Sequence, residues 1–194
     1  VTLKNTSHIG RAGAYPLVCA REGMLGLAFV NAGRLGYQIA PYGGIDGKLS
    51  TNPIAFASPR RNFEPILVDM TTSVIAEGKI RVAINEGNKV PDGWIIDSNG
   101  NSSTNPNDFS EGGAYVPFGR HKGYALMVAT EMLGRVFSGA DAFSDTEYGG
   151  PQMRHQGNMM ILFRADLFQD FSDYKIRAEE LRQKLHATPP APGF

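Results

Sequence analysis

Compact apolar runs alternate with longer amphipathic stretches along the chain. The compact runs are flanked by glycine or other turn residues, which is typical of buried β-strands. They predict strands over residues 25–31, 54–58, 66–70, 94–97 and 159–163. Wider apolar spacing with helix start or stop signals predicts helices over residues 9–23, 73–87, 122–137 and 172–186. This mixed order indicates an α/β (α+β) layered sandwich, built as one core domain over residues 1–194.

The segment 122–137 has the clearest helical pattern. Its apolar residues form one broad face, made of Leu126, Met127, Ala129, Met132, Leu133, Val136 and Phe137. Gly139 follows the segment as a stop signal. We therefore expect this face to pack in the hydrophobic core.

The composition excludes several classes of protein. The 19 Lys and Arg residues balance the 19 Asp and Glu residues, so the chain has no excess positive charge for binding nucleic acid. The single cysteine, Cys19, excludes an intrachain disulfide framework and a cysteine-rich metal site, and it favours a reducing compartment. No apolar run approaches the roughly 18 residues of a membrane span, and the first residues lack the order of a secretion signal. We expect a cytoplasmic protein without nucleic-acid or membrane partners.

The common fingerprints of nucleotide-binding and hydrolytic enzymes are missing from the sequence. No G-x-G-x-x-G follows a predicted strand, and the chain contains no G-x-x-x-x-G-K-[ST], G-x-S-x-G or H-E-x-x-H. The remaining candidate sites are glycine-rich polar turns at the ends of the apolar segments, because backbone N–H groups in such turns can bind a ligand.

Two of these turns carry groups suited to acid–base or hydroxyl chemistry. The turn at residues 5–10 places His8 beside hydroxyl residues before a predicted helix, and histidine is the commonest acid–base residue in enzymes. The alternative is that Ser7 caps the helix and His8 only fills the turn. Asp69 ends a predicted strand, where it can accept hydrogen bonds from a ribose or cap the next helix.

Two further turns are basic. Residues 119–124 place Lys122 among other cationic side chains at a helix start, and the pattern fits both anion binding and a solvated basic turn. Arg154 and His155 precede a predicted strand, where they can hold a carboxylate or phosphate or form ordinary surface charge.

A metal site is the weaker alternative. The histidines at positions 8, 121, 155 and 186 contain no i,i+4 pair, so only tertiary structure could bring His8, His121 and His155 together with Asp69. Such a cluster would indicate a metal-dependent hydrolase.

Six motif-like segments follow one another along the chain. They are SHIGRAGAY at 7–15, IAPYGG at 39–44, STNPIAFASP at 50–59, VDMTTSVIAEGK at 68–79, VPDGWIIDSNG at 90–100 and HKGYALMVATEMLG at 121–134. In order and spacing they resemble the malate/L-lactate dehydrogenase family of the non-Rossmann type. The resemblance extends over essentially the whole chain.

The resemblance implies a mixed, largely antiparallel sheet that binds NAD or NADP without the dinucleotide fingerprint, which accounts for the missing glycine motif. It implies an enzyme that interconverts a 2-oxo acid and a 2-hydroxy acid. The nicotinamide transfers the hydride, and His8 transfers the proton. Asp69, Met70, Thr71 and Lys122 match residues with which the family contacts its cofactor.

Other implications of the resemblance concern the ends of the site. Arg154, His155 and Gln156 match a further cofactor loop, and no metal is implied. Ala32 stands where the family often has a hydroxyl that meets the cofactor, so here this contact is absent or made by the backbone. The family's substrate-binding arginine belongs to an N-terminal helical part, which we expect to be absent from this core domain together with the C-terminal tail.

The resemblance also implies a homodimer with a small 2-oxo or 2-hydroxy acid as its substrate. Two alternatives stay open. One is a catalytically silent nucleotide-binding or assembly module with the same fold, and the other is the metal-dependent hydrolase described above.

Overall fold

A computed structural model of the protein describes residues 1–32, 37–62, 64–140 and 155–193. Its strands are β1 (Thr2–Thr6), β2 (Met24–Val30), β3 (Ile54–Ser58), β4 (Ile66–Met70), β5 (Ile95–Ile96), β6 (Ser102–Ser103), β7 (Ala114–Tyr115) and β8 (Gln156–Arg164). Its helices are α1 (Ala14–Arg21), α2 (Glu77–Glu86), α3 (Asn107–Ser110), α4 (His121–Glu131), a π-helix (Met132–Phe137) that continues α4, and α5 (Phe171–His186). None of the helices in the described ranges has the length and apolar character needed to cross a membrane.

The strand pairing confirms the predicted fold class. One sheet has the order β1-β8-β2-β3-β4, and a smaller sheet has the order β6-β5-β7. β1 is antiparallel to β8, and β5 is antiparallel to both β6 and β7, whereas a bridge between Ile39 and Tyr115 is parallel. The protein is therefore a mixed α/β fold with antiparallel sheets.

Two helices begin later than the sequence pattern predicts. α1 begins at Ala14 instead of residue 9, because Gly10 adopts a φ of 76°, which is incompatible with a right-handed helix. α2 begins at Glu77 instead of residue 73. There the Ser73 hydroxyl donates a 2.7 Å hydrogen bond to the carbonyl of Ile75, a local side-chain contact that competes with helical geometry.

The chain forms two compact units. Unit 1 consists of Val1–Ala12, Phe29–Ile54 and Asp69–Met159, and unit 2 consists of Gly13–Ala28, Ala55–Val68 and Met160–Phe194. That residues 1–194 act as one core domain stays a prediction.

The hydrophobic core of unit 1 joins α2, α4, the smaller sheet and the loops between them. Its buried side chains are Ile39, Leu49, Ile75, Ile80, Val90, Ile95, Tyr115 and Met127. Burying one such aliphatic side chain stabilises a fold by roughly 1.5–3 kcal/mol relative to leaving it exposed. Leu49 and Ile75 lie in the loops before Ser50 and Glu77, so the core also fixes the backbone at these two positions.

The buried face of α4 and the π-helix differs from the predicted one. The buried residues there are Gly123, Met127, Thr130, Glu131 and Gly134. Met132, Val136 and Phe137 are 53%, 54% and 69% exposed, and Ala129 is exposed as well, so the core prediction is wrong for these four residues. The reason is close backbone contact, since a Cβ at Gly134 would lie 3.3 Å from the carbonyl oxygen of Phe29. The helix therefore packs closely at its glycines and through Met127, whereas Met132, Val136 and Phe137 face outwards.

A bulge interrupts β1. Leu3 pairs with Asn158 but Thr6 pairs with Gln156, so three steps along β1 correspond to two steps along β8. Asn5 lies within this interval and has a φ of 54°. A bulge leaves one residue unpaired and bends its strand. The bend comes immediately before the segment that contains the predicted catalytic residue.

A buried carboxylate connects α5 to the chain that follows β3 in unit 2. The side chain of Glu179 is 9% exposed and accepts hydrogen bonds from Arg182 (2.9 Å), Arg60 (3.1 Å) and Gln183 (3.1 Å). The bonds from Arg182 are the main cause that lowers the pKa of Glu179 to about 2.

Acid is therefore expected to destabilise the protein through Glu179. Because the folded-state pKa of about 2 lies below the ordinary value of 4.5, this carboxylate stabilises the fold above about pH 4.5, and the stabilisation is lost as the pH falls towards about 2. Urea unfolding of the unmodified protein and of Glu179→Gln should give midpoints that differ most at pH 7 and converge through this window. A difference that stays constant from pH 7 to pH 2 would contradict the assignment.

Candidate functional site

Unit 1 contains a cavity of about 520 Å³. Small-molecule and cofactor sites typically measure roughly 300–1,000 Å³. The described residues that line it come from the chain after β1, the end of β2, the loop before β3, the end of β4 and the first turn of α2: His8, Ile9, Gly10, Arg11, Ala12, Val30, Asn31, Ala32, Ser50, Thr51, Pro53, Asp69, Met70, Thr71, Glu77 and Gly78. Gln38, Tyr115 and Gln156 also line it.

Five of the predicted site residues lie on this cavity. They are His8, Asp69, Met70, Thr71 and Gln156. The three segments that carry them are distant in sequence, and the fold of unit 1 brings them to one place. Their chemical roles stay predictions.

The other predicted site residues are placed differently. Lys122 is exposed in the first turn of α4, and His155 is half-buried directly before β8 with a φ of 60°. Neither belongs to the described lining of the cavity. Arg154 lies outside the described residues.

His8 is held by its own local backbone. Gly10 adopts a φ of 76°, and its N–H donates a 3.0 Å hydrogen bond to Nδ1 of the His8 ring. A φ in this region favours glycine, so the residue type supports the turn. With Nδ1 occupied as an acceptor, Nε2 is the ring nitrogen that a ligand in the cavity can contact.

Asp69 shares the cavity with a cation. Nε of Arg11 donates to Oδ2 of Asp69 at 3.1 Å, and the two side chains are 62% and 22% exposed. Arg11 is the only lysine or arginine among the described residues that line the cavity. An ion pair this exposed contributes about 0–1 kcal/mol to the stability of the fold. A ligand can therefore replace either Arg11 or Asp69 in the pair with little loss of stability.

Thr72 holds the end of β4 against the loop before β3. Its backbone N–H donates to the carbonyl of Thr51 at 2.9 Å, and its hydroxyl lies 2.9 Å from the carbonyl of Asn52. Thr72 is fully buried, whereas its neighbour Thr71 lines the cavity. Adjacent hydroxyl residues that look equivalent in the sequence therefore have different roles, one in packing and one at the cavity.

A buried polar network lies behind one wall of the cavity. Glu131 of α4 accepts hydrogen bonds from Nε of Arg135 (2.6 Å), Nδ2 of Asn52 (2.9 Å) and Nδ2 of Asn31 (3.3 Å). Its side chain is 6% exposed, so the carboxylate depends on these donors. Ser50 joins the network through a short hydrogen bond to Asn52.

The network reaches the cavity through Asn31 and Ser50, both of which line it. The N–H of Ala32 donates to the Ser50 hydroxyl at 3.0 Å, and Oδ1 of Asn31 accepts from the N–H of Gly157 at 2.7 Å. Ala32 lines the cavity but has no side-chain hydroxyl. Its N–H donates to the Ser50 hydroxyl, which belongs to the network.

Sequence reasoning missed this network. The one usable signal was Glu131, a charged residue beside the apolar positions of the predicted helix 122–137, because a buried Glu is rarely found without partners. The partner Asn52 carries a φ of 38°, and the local sequence shows it only as a turn residue before proline.

Tyr115 lies deep in the cavity wall as a neutral hydrogen-bond donor. It is 1% exposed, and its hydroxyl donates to Oε1 of Gln38 at 3.0 Å. Burial raises the pKa of Tyr115, and the negative charge of Glu77 adds to the effect. Glu77 in turn accepts two hydrogen bonds from Arg81, at 2.8 and 2.6 Å. Tyr115 is therefore a positioning group for Gln38 rather than a source of charge.

The metal-hydrolase alternative has no structural support. Across the described ranges, no three His, Cys, Asp or Glu side chains stand close enough to hold a metal ion. The ring of His121 packs edge-on against Tyr42, with 5.9 Å between ring centroids.

Comparison with known proteins identifies the family. Residues 1–194 match the family described as malate/L-lactate dehydrogenase. The L-lactate dehydrogenase of Cupriavidus necator is 39% identical over 197 residues, which cover 100% of this chain and 56% of that protein. The (2R)-3-sulfolactate dehydrogenase (NADP(+)) of Chromohalobacter salexigens is 36% identical over 176 residues, which cover 88% of this chain and 51% of that protein.

A solved structure agrees with the sequence comparison. The sulfolactate dehydrogenase from Methanocaldococcus jannaschii superposes with a TM-score of 0.87 at 32% identity, covering 100% of this chain and 55% of that one. The chain thus spans about half the length of the relatives that it matches. Sequence and fold agree over the whole of residues 1–194, and the chain belongs to the malate/L-lactate dehydrogenase family.

Proposed function

We propose that the protein is an NAD(P)-dependent oxidoreductase that interconverts a 2-oxo acid and a 2-hydroxy acid. The observation that carries the proposal is the position of His8 on the same cavity as Asp69, Met70 and Thr71. A dehydrogenase of this kind needs a proton-transferring group beside the place where its cofactor binds. The family and the names of the relatives support the same reaction class.

The residues at the end of β4 suit a nicotinamide cofactor. Asp69 offers carboxylate oxygens that can accept hydrogen bonds from ribose hydroxyls, and the 40% exposed side chain of Met70 offers apolar surface to a ring. The Thr71 hydroxyl donates to the carbonyl of Ser73 at 3.2 Å and keeps its acceptor capacity for a ligand. When bound, the cofactor supplies or receives the hydride.

His8 performs the proton transfer in this proposal. Reduction of a 2-oxo acid creates an alkoxide, and Nε2 of His8 is the ring nitrogen placed to protonate it. A neutral ring whose Nδ1 accepts from Gly10 carries its proton on Nε2. Loss of that proton from a neutral ring would leave an imidazolate, so Nδ1 of the exposed His8 must first take up a proton from solvent. The protonated Nδ1 can no longer accept the hydrogen bond from Gly10. The turn at Gly10 therefore has to move, or the ring has to rotate, during turnover.

The identity of the substrate and cofactor is proposed only as a class. The substrate is a small 2-oxo or 2-hydroxy acid, and the cofactor is NAD or NADP. One relative is named for NADP(+). Lys122, Arg154, His155 and Gln156 are proposed as further cofactor contacts on the family resemblance.

The assembly and location of the protein are also proposals. A homodimer would cover the exposed apolar residues of α4 and the π-helix, which are Val128, Met132, Val136 and Phe137. A reducing cytoplasm suits a chain whose one cysteine, Cys19, is free.

Titration with NADH and with NADPH tests the proposed function, with the fluorescence of the reduced cofactor as the signal. The 2-oxo acids that correspond to lactate, malate and sulfolactate are then added, and loss of the reduced cofactor is followed. We expect saturable binding of at least one cofactor and turnover with at least one acid. Binding without turnover would favour the silent module or place the substrate-binding arginine outside residues 1–194, and failure to bind either cofactor would refute the proposal.

A further inference from the structure

Gly78, in the first turn of α2, has no structural reason to be glycine within the described chain. Other glycines whose surroundings the structure describes either adopt a positive φ or pack so closely that an added Cβ would lie within 3.4 Å of another atom. Gly78 does neither. A Cβ at this position would have no neighbour within 4 Å in the described ranges, and the backbone is helical.

Glycine is also an unfavourable choice at this position. Apart from proline it is the weakest helix former, because it loses the most backbone freedom on folding and exposes the backbone to water. Alanine would have the space and the better propensity. The presence of glycine at position 78 is therefore better explained by contact with something other than the described part of the chain.

The position of Gly78 on the cavity indicates that this contact is with a bound ligand. Gly78 and its neighbour Glu77 line the same cavity as Asp69 and His8. The empty volume beside Gly78 is thus continuous with the space that a ligand enters. A missing side chain at such a place allows a ligand to approach the backbone closely.

We infer that Gly78 is a cofactor-contact residue, and that the bound nicotinamide dinucleotide lies in van der Waals contact with its Cα. This inference rests on the proposed function. The dinucleotide is the better occupant because a small 2-oxo acid beside His8 fills only part of a cavity of about 520 Å³. A Cβ at position 78 takes volume from the cofactor and from no described residue of the protein.

The test combines a stability measurement with a binding measurement on the same variants. Gly78→Ala should have a Tm at least equal to that of the unmodified protein, because the helix gains propensity and the added Cβ crowds none of the residues that the structure describes. The same variant should raise the Kd of the reduced cofactor by about 10-fold or more, and Gly78→Val should raise it further. Cofactor binding is measured without substrate, so a contact with the acid does not contribute.

Ala76→Ser is the matched control. Ala76 is the exposed N-cap of the same helix, makes no side-chain cap hydrogen bond and is not among the described lining residues. Serine there adds a cap and stabilises the same turn without adding atoms to the cavity. Its Tm should rise while its cofactor Kd stays unchanged.

The outcomes separate the inference from the proposed function. If the unmodified protein binds a cofactor and Gly78→Ala binds it equally well, the inference is overturned and the proposed function stands. A Tm lowered by Gly78→Ala would also overturn it, because protein atoms would then crowd the site. If the unmodified protein binds neither NADH nor NADPH, the proposed function is refuted and the inference falls with it.

Discussion

Replacing His8 with Ala is expected to lower kcat for the 2-oxo acid by about 100-fold or more, while the Kd of the reduced cofactor changes little. Loss of a positioned acid–base group typically costs about 100- to 10,000-fold in rate. The side chain lines the cavity, and its ring contacts the backbone of Gly10. Removing it therefore leaves Asp69 and Met70, the proposed cofactor contacts, in place.

Steady-state kinetics and cofactor titration check this prediction together. His186→Ala is the matched control, because His186 is an exposed histidine at the end of α5 in unit 2. Its kcat should equal that of the unmodified protein. If His8→Ala also kept the full rate, proton transfer would have to be assigned to another group or to water. A loss confined to cofactor affinity would make His8 a binding residue instead.

Glu131→Ala is expected to destabilise the fold by about 3–5 kcal/mol, which is typical of breaking a buried ion pair from one side. The truncation leaves the side chain of Arg135, which is 13% exposed, without its carboxylate. It also removes an acceptor from the amides of Asn31 and Asn52. Because Asn31 lines the cavity, the affinity for the reduced cofactor should fall as well.

Urea unfolding measures the loss, and Glu180→Ala is its control. Glu180 is exposed on α5, so its replacement should change the stability by less than about 0.5 kcal/mol. Glu131→Gln keeps the side-chain volume but places an uncharged amide among three hydrogen-bond donors. Its loss of stability should therefore lie between zero and the loss for Glu131→Ala. A loss below about 1 kcal/mol for Glu131→Ala would mean that the network is worth little to the fold.

The local pattern of the chain predicted much of the secondary structure. The strands at 54–58 and 66–70 coincide with β3 and β4, and α5 begins one residue before the predicted start at 172. These segments follow local rules, since compact apolar runs form strands and an amphipathic stretch forms a helix. The expectation that such strands are buried is wrong for the end of β4, where Val68, Asp69 and Met70 are exposed. β1 escaped prediction because its exposed, polar residues pair with β8 through the backbone.

The helix α4 shows where local reasoning stops. Its apolar residues suggested one buried face, yet Met132, Val136 and Phe137 are exposed and the charged Glu131 is buried. Hydrophobicity alone does not decide which face packs when a neighbouring backbone approaches closely. Gly134 permits that approach, and Asn31, Asn52 and Arg135 provide the donors that a buried carboxylate requires.

By itself, the sequence determined the approximate positions of strands β2 to β5 and β8, most helices, the family and the short motifs that contain His8 and the segment Asp69–Thr71. Each of these depends on residue type and spacing within a few positions. Only the tertiary structure decided that these motifs share one cavity, that Arg11 pairs with Asp69, and that a buried network supports the wall behind them. The physical reason is that such contacts join residues far apart in the chain, and their energy depends on burial and distance, which no local pattern records.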